Sequence, residues 1–192
     1  MTHFFKTFSP STQLHDHEFS SFEPSGWIKN RHFQTIVGSI FKTDQLSASR
    51  TFEITIDDKK KSLCQLFHQG SSKLVLLFHG LGGKTDSAYL MRTARTVLSY
   101  GYDVACLSLP GNQDRSPYLY HAGDSDFFDA VLAHFRPSYK TTHWVGFSFS
   151  GNLILQWLKT PKEITTAVVV SPVTDLQKSV QRIDAPSQWI YR

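Results

Sequence analysis

The rhythm of apolar and polar positions changes twice along the chain. Up to about residue 50 no clean period holds: aromatic residues alternate with Ser, Pro and His, as in an arm that packs against a domain without building it. "TFEITIDD" (51–58) then alternates apolar and polar residues, and "SLCQLFH" (62–68) repeats the alternation after a Lys-rich turn, which predicts a β-hairpin with one face buried. From Lys73 the apolar runs become continuous. "KLVLLFHG" (73–80), "YDVACLSLPG" (102–111), "THWVGFS" (142–148) and "TTAVVVSP" (165–172) read as strands buried on both faces of a parallel sheet. Between them, 86–100, 124–135 and 149–159 carry apolar residues at helical spacing; Gly101 closes the first as a C-cap, and acidic residues open the second, complementing its dipole. Alternation of this kind implies βαβ units with right-handed crossovers.

Composition narrows the class without naming a function. In 192 residues, 40% hydrophobic and 19% charged, one globular domain is expected. The net charge is +4, and the densest basic run, Lys59-Lys60-Lys61 beside Asp57-Asp58, reads as a solvated turn, so no nucleic-acid partner is expected. No apolar stretch is long enough for a membrane span or a signal peptide, and a cytoplasmic location is expected. Cys64 and Cys106 lie inside strand-like runs without ligand spacing and are expected as buried, reduced thiols. "HDH" (15–17) has no further ligands nearby, so no metal or other cofactor is expected.

The candidate chemistry lies in "GFSFSGN" (146–152). Ser148 stands where a strand ends and a helix begins, with Gly146 before it and Ser150 and Gly151 after it. A serine on so sharp a turn needs small neighbours, because larger side chains would collide with the crossing strand and helix. The turn lifts the hydroxyl above the sheet and aims a helix N-terminus at it, where N–H groups can stabilise an oxyanion. An earlier strand ends in His79-Gly80-Leu81-Gly82-Gly83, a glycine-rich loop at the same C-terminal edge of the sheet, where α/β sheets bind ligands. The strict motif has Gly at the place of Ser150.

These stretches, together with "WIKNRHFQTI" (27–36), "GYDVACLSLPGN" (101–112), "YHAGDSDF" (120–127) and "VVVSPVTDL" (168–176), resemble the YheT-like branch of the α/β-hydrolases, whose members usually carry "GFSLGGN" at the elbow. The resemblance implies a serine hydrolase acting on carboxylic esters, among them lipid or medium-chain esters, through an acyl-enzyme. Ser148 would be the nucleophile and the N–H groups of Leu81 and Phe149 the oxyanion hole, with His79, Gly80, Gly146 and Gly151 shaping the site. It also implies an α/β-hydrolase-type sheet, hairpin plus parallel strands flanked by helices, that is C-terminally incomplete: an arm over 1–50, a truncated core over 51–175 and the start of a lid over 176–192.

In this fold the triad runs serine, acid, histidine, yet no histidine follows Ser148, and the later acids are Glu163, Asp175 and Asp184. Asp175 reads as a cap on the next segment. His143 begins the strand ending at Ser148 and so lies about 16 Å away, at the wrong edge. His79 suits a role in shaping its loop. His121, in the connection after the second parallel strand, is the candidate substitute base, although an efficient base also needs an acid on its other nitrogen. His32 falls in the arm. The resemblance places the acid and the histidine after the lid; the alternative is a catalytically inactive or purely binding remnant.

Overall fold

The computed structural model describes residue 26 and residues 46–113 and 118–184. The chain divides into two compact units, Met1–Ile40 and Phe41–Arg192, and the fold below is that of the second. Nearly all of the expected arm lies outside the described residues, with His15, His17 and His32; so do residues 185–192 of the expected lid.

Among the described residues, six strands and four helices follow in chain order: β1 (Arg50–Thr55), β2 (Lys61–Phe67), β3 (Lys73–Phe78), α1 (Ala88–Ser99), β4 (Asp103–Leu107), α2 (Phe127–Phe135), β5 (Thr141–Phe147), α3 (Phe149–Trp157), β6 (Thr166–Val170) and α4 (Leu176–Ile183). They form one sheet in the order β1-β2-β4-β3-β5-β6. The β1-β2 hairpin is antiparallel, with Phe52 opposite Cys64, and β2 joins β4 antiparallel, with Leu66 opposite Ala105. β4, β3, β5 and β6 run parallel, so the loops after β3 and β5 emerge at the same edge.

Alternation within the strands sorts the core into two layers. Leu74, Leu76, Phe78 and Trp144 face Phe127, Phe128 and Val131 of α2 and Leu153, Ile154 and Trp157 of α3. Val75, Leu77, Val104 and Cys106 face Leu90, Met91 and Ala94 of α1. An aromatic block fills the first layer: Phe78 stacks on Trp144 at 5.3 Å, Trp144 lies 4.7 Å from Trp157, and Phe128 meets Phe78 edge-on at 5.0 Å. Through Trp157, its last residue, α3 is joined to that block and held against the sheet.

Cys64 and Cys106 are free and buried, one in each layer; burial pushes the Cys64 thiol up to about 12 and the Cys106 thiol up as well. Two expectations need correction. Lys60 is not solvated: its side chain is 15% exposed, and its ammonium lies 2.8 Å from Asp124 and 3.1 Å from Asp126. The helix expected from Asp124 starts only at Phe127, with Asp126 at its N-cap position and Asp129 in its first turn, and the Asp124 and Asp126 carboxylates tie this start to the β1-β2 turn through Lys60. β6 is an edge strand with Val168 and Val170 exposed. Among the described residues no helix is long and apolar enough to cross a membrane, and no group of His, Cys, Asp or Glu converges as metal ligands.

Candidate active site

The turn from β5 into α3 has no connecting loop. Phe147 ends the strand, Phe149 begins the helix, and Ser148 alone makes the corner at φ 51°, ψ −109°. A non-glycine residue held there stores about 1–3 kcal/mol of strain, which persists only where the surroundings over-determine it. They do so here. The Ser148 N–H donates to the Val170 carbonyl at 2.8 Å, and the Asn152 N–H donates to the Ser148 carbonyl at 3.2 Å. The strand and helix cross so closely that a Cβ on Gly146 would fall 2.9 Å from both the Gly151 nitrogen and the Ser150 oxygen.

The loop after β3 is packed against this corner. A Cβ on Gly80 would lie 3.2 Å from the Ser148 Cβ and 3.8 Å from its Oγ, so any side chain here would press on that of Ser148. Ser150 is fully buried, and its hydroxyl donates to the His79 carbonyl at 2.5 Å. The residue that departs from the strict motif thus has room for its side chain and uses it to tie the elbow to the glycine-rich loop.

His79 is also fully buried, and both ring nitrogens are engaged. Nδ1 bonds the Gly80 carbonyl at 2.7 Å, while Nε2 accepts from the Leu109 N–H at 3.2 Å and the Asn112 amide at 3.1 Å. This pattern fixes the neutral tautomer with its proton on Nδ1. Burial holds its pKa below the ordinary value against the opposing Gly80 bond. The ring braces the loop and has no nitrogen left to receive a proton from Ser148.

Among the described residues, the N–H groups of Leu81 and Phe149 donate to no protein acceptor. For Phe149 this follows from its place at the first position of a helix. Two unpartnered donors therefore flank the Ser148 corner, one from the loop after β3 and one from the first residue of α3.

The other candidates lie elsewhere. His121 is exposed, accepts from the Gly123 N–H at 3.2 Å, and lines a polar cleft of about 440 Å³ with Lys60, Asp124, Asp129 and Gln156. Gln156 lies eight residues along α3 from Ser148, roughly 12 Å at the helical rise. His143 bonds Thr166 at 2.9 Å toward the opposite end of β5. Glu163 pairs with Arg136, and Asp175 caps α4 by accepting from the Lys178 N–H at 2.9 Å, as its sequence position suggested. Among the described residues no histidine or carboxylate is bonded to the Ser148 hydroxyl.

Two residues that sequence reasoning passed over belong to the site. Tyr89 on α1 accepts the Gly80 N–H at 2.9 Å, and Tyr120 accepts the Gly82 N–H at 3.3 Å. In the sequence Tyr89 is one more apolar position of an amphipathic helix and Tyr120 one more loop aromatic; nothing in the spacing marks their hydroxyls.

Comparison with known proteins agrees with this geometry. The family model of the alpha/beta hydrolase fold matches residues 73–191. An esterase of Pyrococcus furiosus, in two crystal forms, superimposes with TM-scores of 0.61 and 0.60 at 25% identity, over 74% of this chain and 60% and 57% of the esterase. An esterase of Exiguobacterium antarcticum superimposes with a TM-score of 0.53 at 16% identity, over 65% of this chain and 46% of that one, a likeness of fold alone. The chain thus spans 60% or less of the length of these esterases. No curated protein matches it.

Proposed function

The chain belongs to the α/β-hydrolase fold family, and on that premise we propose that Ser148 is the nucleophile of a serine esterase of the YheT-like branch. The observation that carries the reading is the strained Ser148 corner with the unpartnered N–H groups of Leu81 and Phe149 on either side of it. The Ser148 oxygen attacks the ester carbonyl carbon while a general base takes its proton. The carbonyl oxygen becomes an oxyanion that accepts hydrogen bonds from Leu81 and Phe149. Collapse of the tetrahedral intermediate expels the alcohol, which receives the proton, and leaves an acyl-serine that water hydrolyses by the same steps. By the resemblance to the YheT-like branch this base is a histidine placed after the lid; His79, with both ring nitrogens engaged, does not serve as it. Small carboxylic esters, including medium-chain and lipid esters, are the proposed substrates.

A fluorophosphonate probe tests the assignment. It should label Ser148 and leave a Ser148→Ala variant unlabelled; equal labelling of both would sink the assignment.

One observation favours a second reading. With no histidine or carboxylate on the Ser148 hydroxyl among the described residues, the 192-residue chain by itself would be a non-catalytic binding module. Loss of one triad member costs about 10⁴ or more in rate. Ester turnover by the 192-residue chain that disappears in Ser148→Ala would argue against this reading.

A further inference from the structure

The loop His79–Gly83 disposes of its amides in sequence. The Gly80 N–H goes to the Tyr89 hydroxyl at 2.9 Å, the Gly82 N–H to the Tyr120 hydroxyl at 3.3 Å, and the Gly83 N–H to the Gly80 carbonyl at 3.0 Å. Leu81 lies between the two tyrosine-held amides, and its own N–H has no acceptor among the described residues. Gly80 and Gly82, the latter at φ 67°, leave this backbone free to swivel unless something ties it. A peptide plane takes its orientation from its neighbours, so holding the amides before and after Leu81 leaves the Leu81 N–H one direction.

Tyr120 makes a second contact that Tyr89 does not. Its ring centroid lies 5.6 Å from that of Phe149, whose N–H is the other unpartnered donor. Tyr89 is instead backed by Phe147, at 5.0 Å. One side chain, entering from the connection between β4 and α2, thus bonds the amide next to the Leu81 donor and packs against the ring of the residue that carries the other donor. We infer that Tyr120 is a positioning residue that sets the Leu81 amide relative to the Phe149 amide, and that it thereby raises the preorganisation of the oxyanion site. Donors aimed in advance at the developing charge lower the barrier; donors that must first swivel do so less. The inference rests on the esterase reading above.

The test removes the hydroxyl and keeps the ring. In Tyr120→Phe, hydrogen exchange at the Gly82 amide should accelerate about two- to tenfold, the range for one lost hydrogen bond, while the Gly80 amide is unchanged. Turnover of a p-nitrophenyl ester should lose a similar factor in kcat with KM within about twofold, because the effect falls on the transition state. Tyr89→Phe should reverse the exchange pattern, speeding Gly80 and sparing Gly82. Unchanged Gly82 exchange in Tyr120→Phe overturns the inference, as does faster exchange with kcat unaltered. Turnover undiminished in Ser148→Ala would bring down the esterase reading itself, and the Gly82 exchange rate would still separate that failure from a failure of the tyrosine contact.

Discussion

Replacing Gly146 with alanine places one methyl group at the crossing of β5 and α3. Its Cβ would meet the Ile154 Cδ1 at 2.7 Å, the Gly151 nitrogen at 2.9 Å and the Ser150 oxygen at 2.9 Å. The Ile154 contact is with the end of a flexible side chain and relaxes by a rotamer change. The other two are backbone atoms in the first turn of α3, and ordinary contact at about 3.4 Å requires helix and strand to separate by about 0.5 Å. Packed interiors resist such shifts, and overpacking costs about 1–3 kcal/mol. Gly151→Ala provides the internal comparison. Its Cβ comes no nearer than 3.1 Å to the Gly146 oxygen, 3.3 Å to Pro172 and 3.4 Å to Val169, and alanine recovers about 1 kcal/mol of helix propensity. The expected order is a clear loss for Gly146→Ala and a change within about 1 kcal/mol for Gly151→Ala. Urea unfolding followed by the fluorescence of buried Trp144 and Trp157 measures both. If Gly146→Ala proves no less stable than Gly151→Ala, steric closeness is not what makes the corner, and the argument for a compelled elbow fails.

Other consequences follow from the same geometry. Ser148→Gly releases strain of about 1–3 kcal/mol and returns part of it as chain entropy, so this variant should be more stable by roughly 1 kcal/mol in urea titration, and inert toward a fluorophosphonate. Ser150→Ala leaves the His79 carbonyl without its buried donor, a cost of about 1–3 kcal/mol, and Ser150→Gly should lose as much although it restores the strict motif. Burial pushes the Asp103 carboxyl up, yet bonds from the Gln69 and Ser71 N–H groups, the Tyr139 hydroxyl and His68 outweigh it and hold the pKa below its ordinary value. A depressed folded-state value means stability that is complete above the unfolded value, about 3.9, and lost as pH falls through the folded one. Denaturation midpoints measured from pH 6 down to pH 2 should therefore fall steeply below about pH 4 in the wild type, with a shallower fall in Asp103→Asn.

Strand and helix identity was legible because the chain obeys two simple periods. β3, with Leu74, Leu76 and Phe78 in one layer and Val75 and Leu77 in the other, could be placed centrally from its unbroken apolar run. The ties of Asp124 and Asp126 to Lys60 were not legible, because Lys60 comes from a turn more than sixty residues earlier, and no local pattern announces so distant an ion pair. The elbow was visible because steric need dictates small residues around Ser148. The tyrosine contacts were not, since a hydroxyl adds nothing to hydropathy that separates it from a packed ring. Likewise Ser150 read as a departure from the motif until its bond to the His79 carbonyl gave it a place.

The central claim is that Ser148 is a nucleophile presented by this elbow, and covalent trapping tests it most directly. After fluorophosphonate treatment, peptide mass spectrometry should find one phosphonyl adduct, on the peptide that carries Ser148, and none in Ser148→Ala. An adduct at another residue, or labelling undiminished in Ser148→Ala, would contradict it.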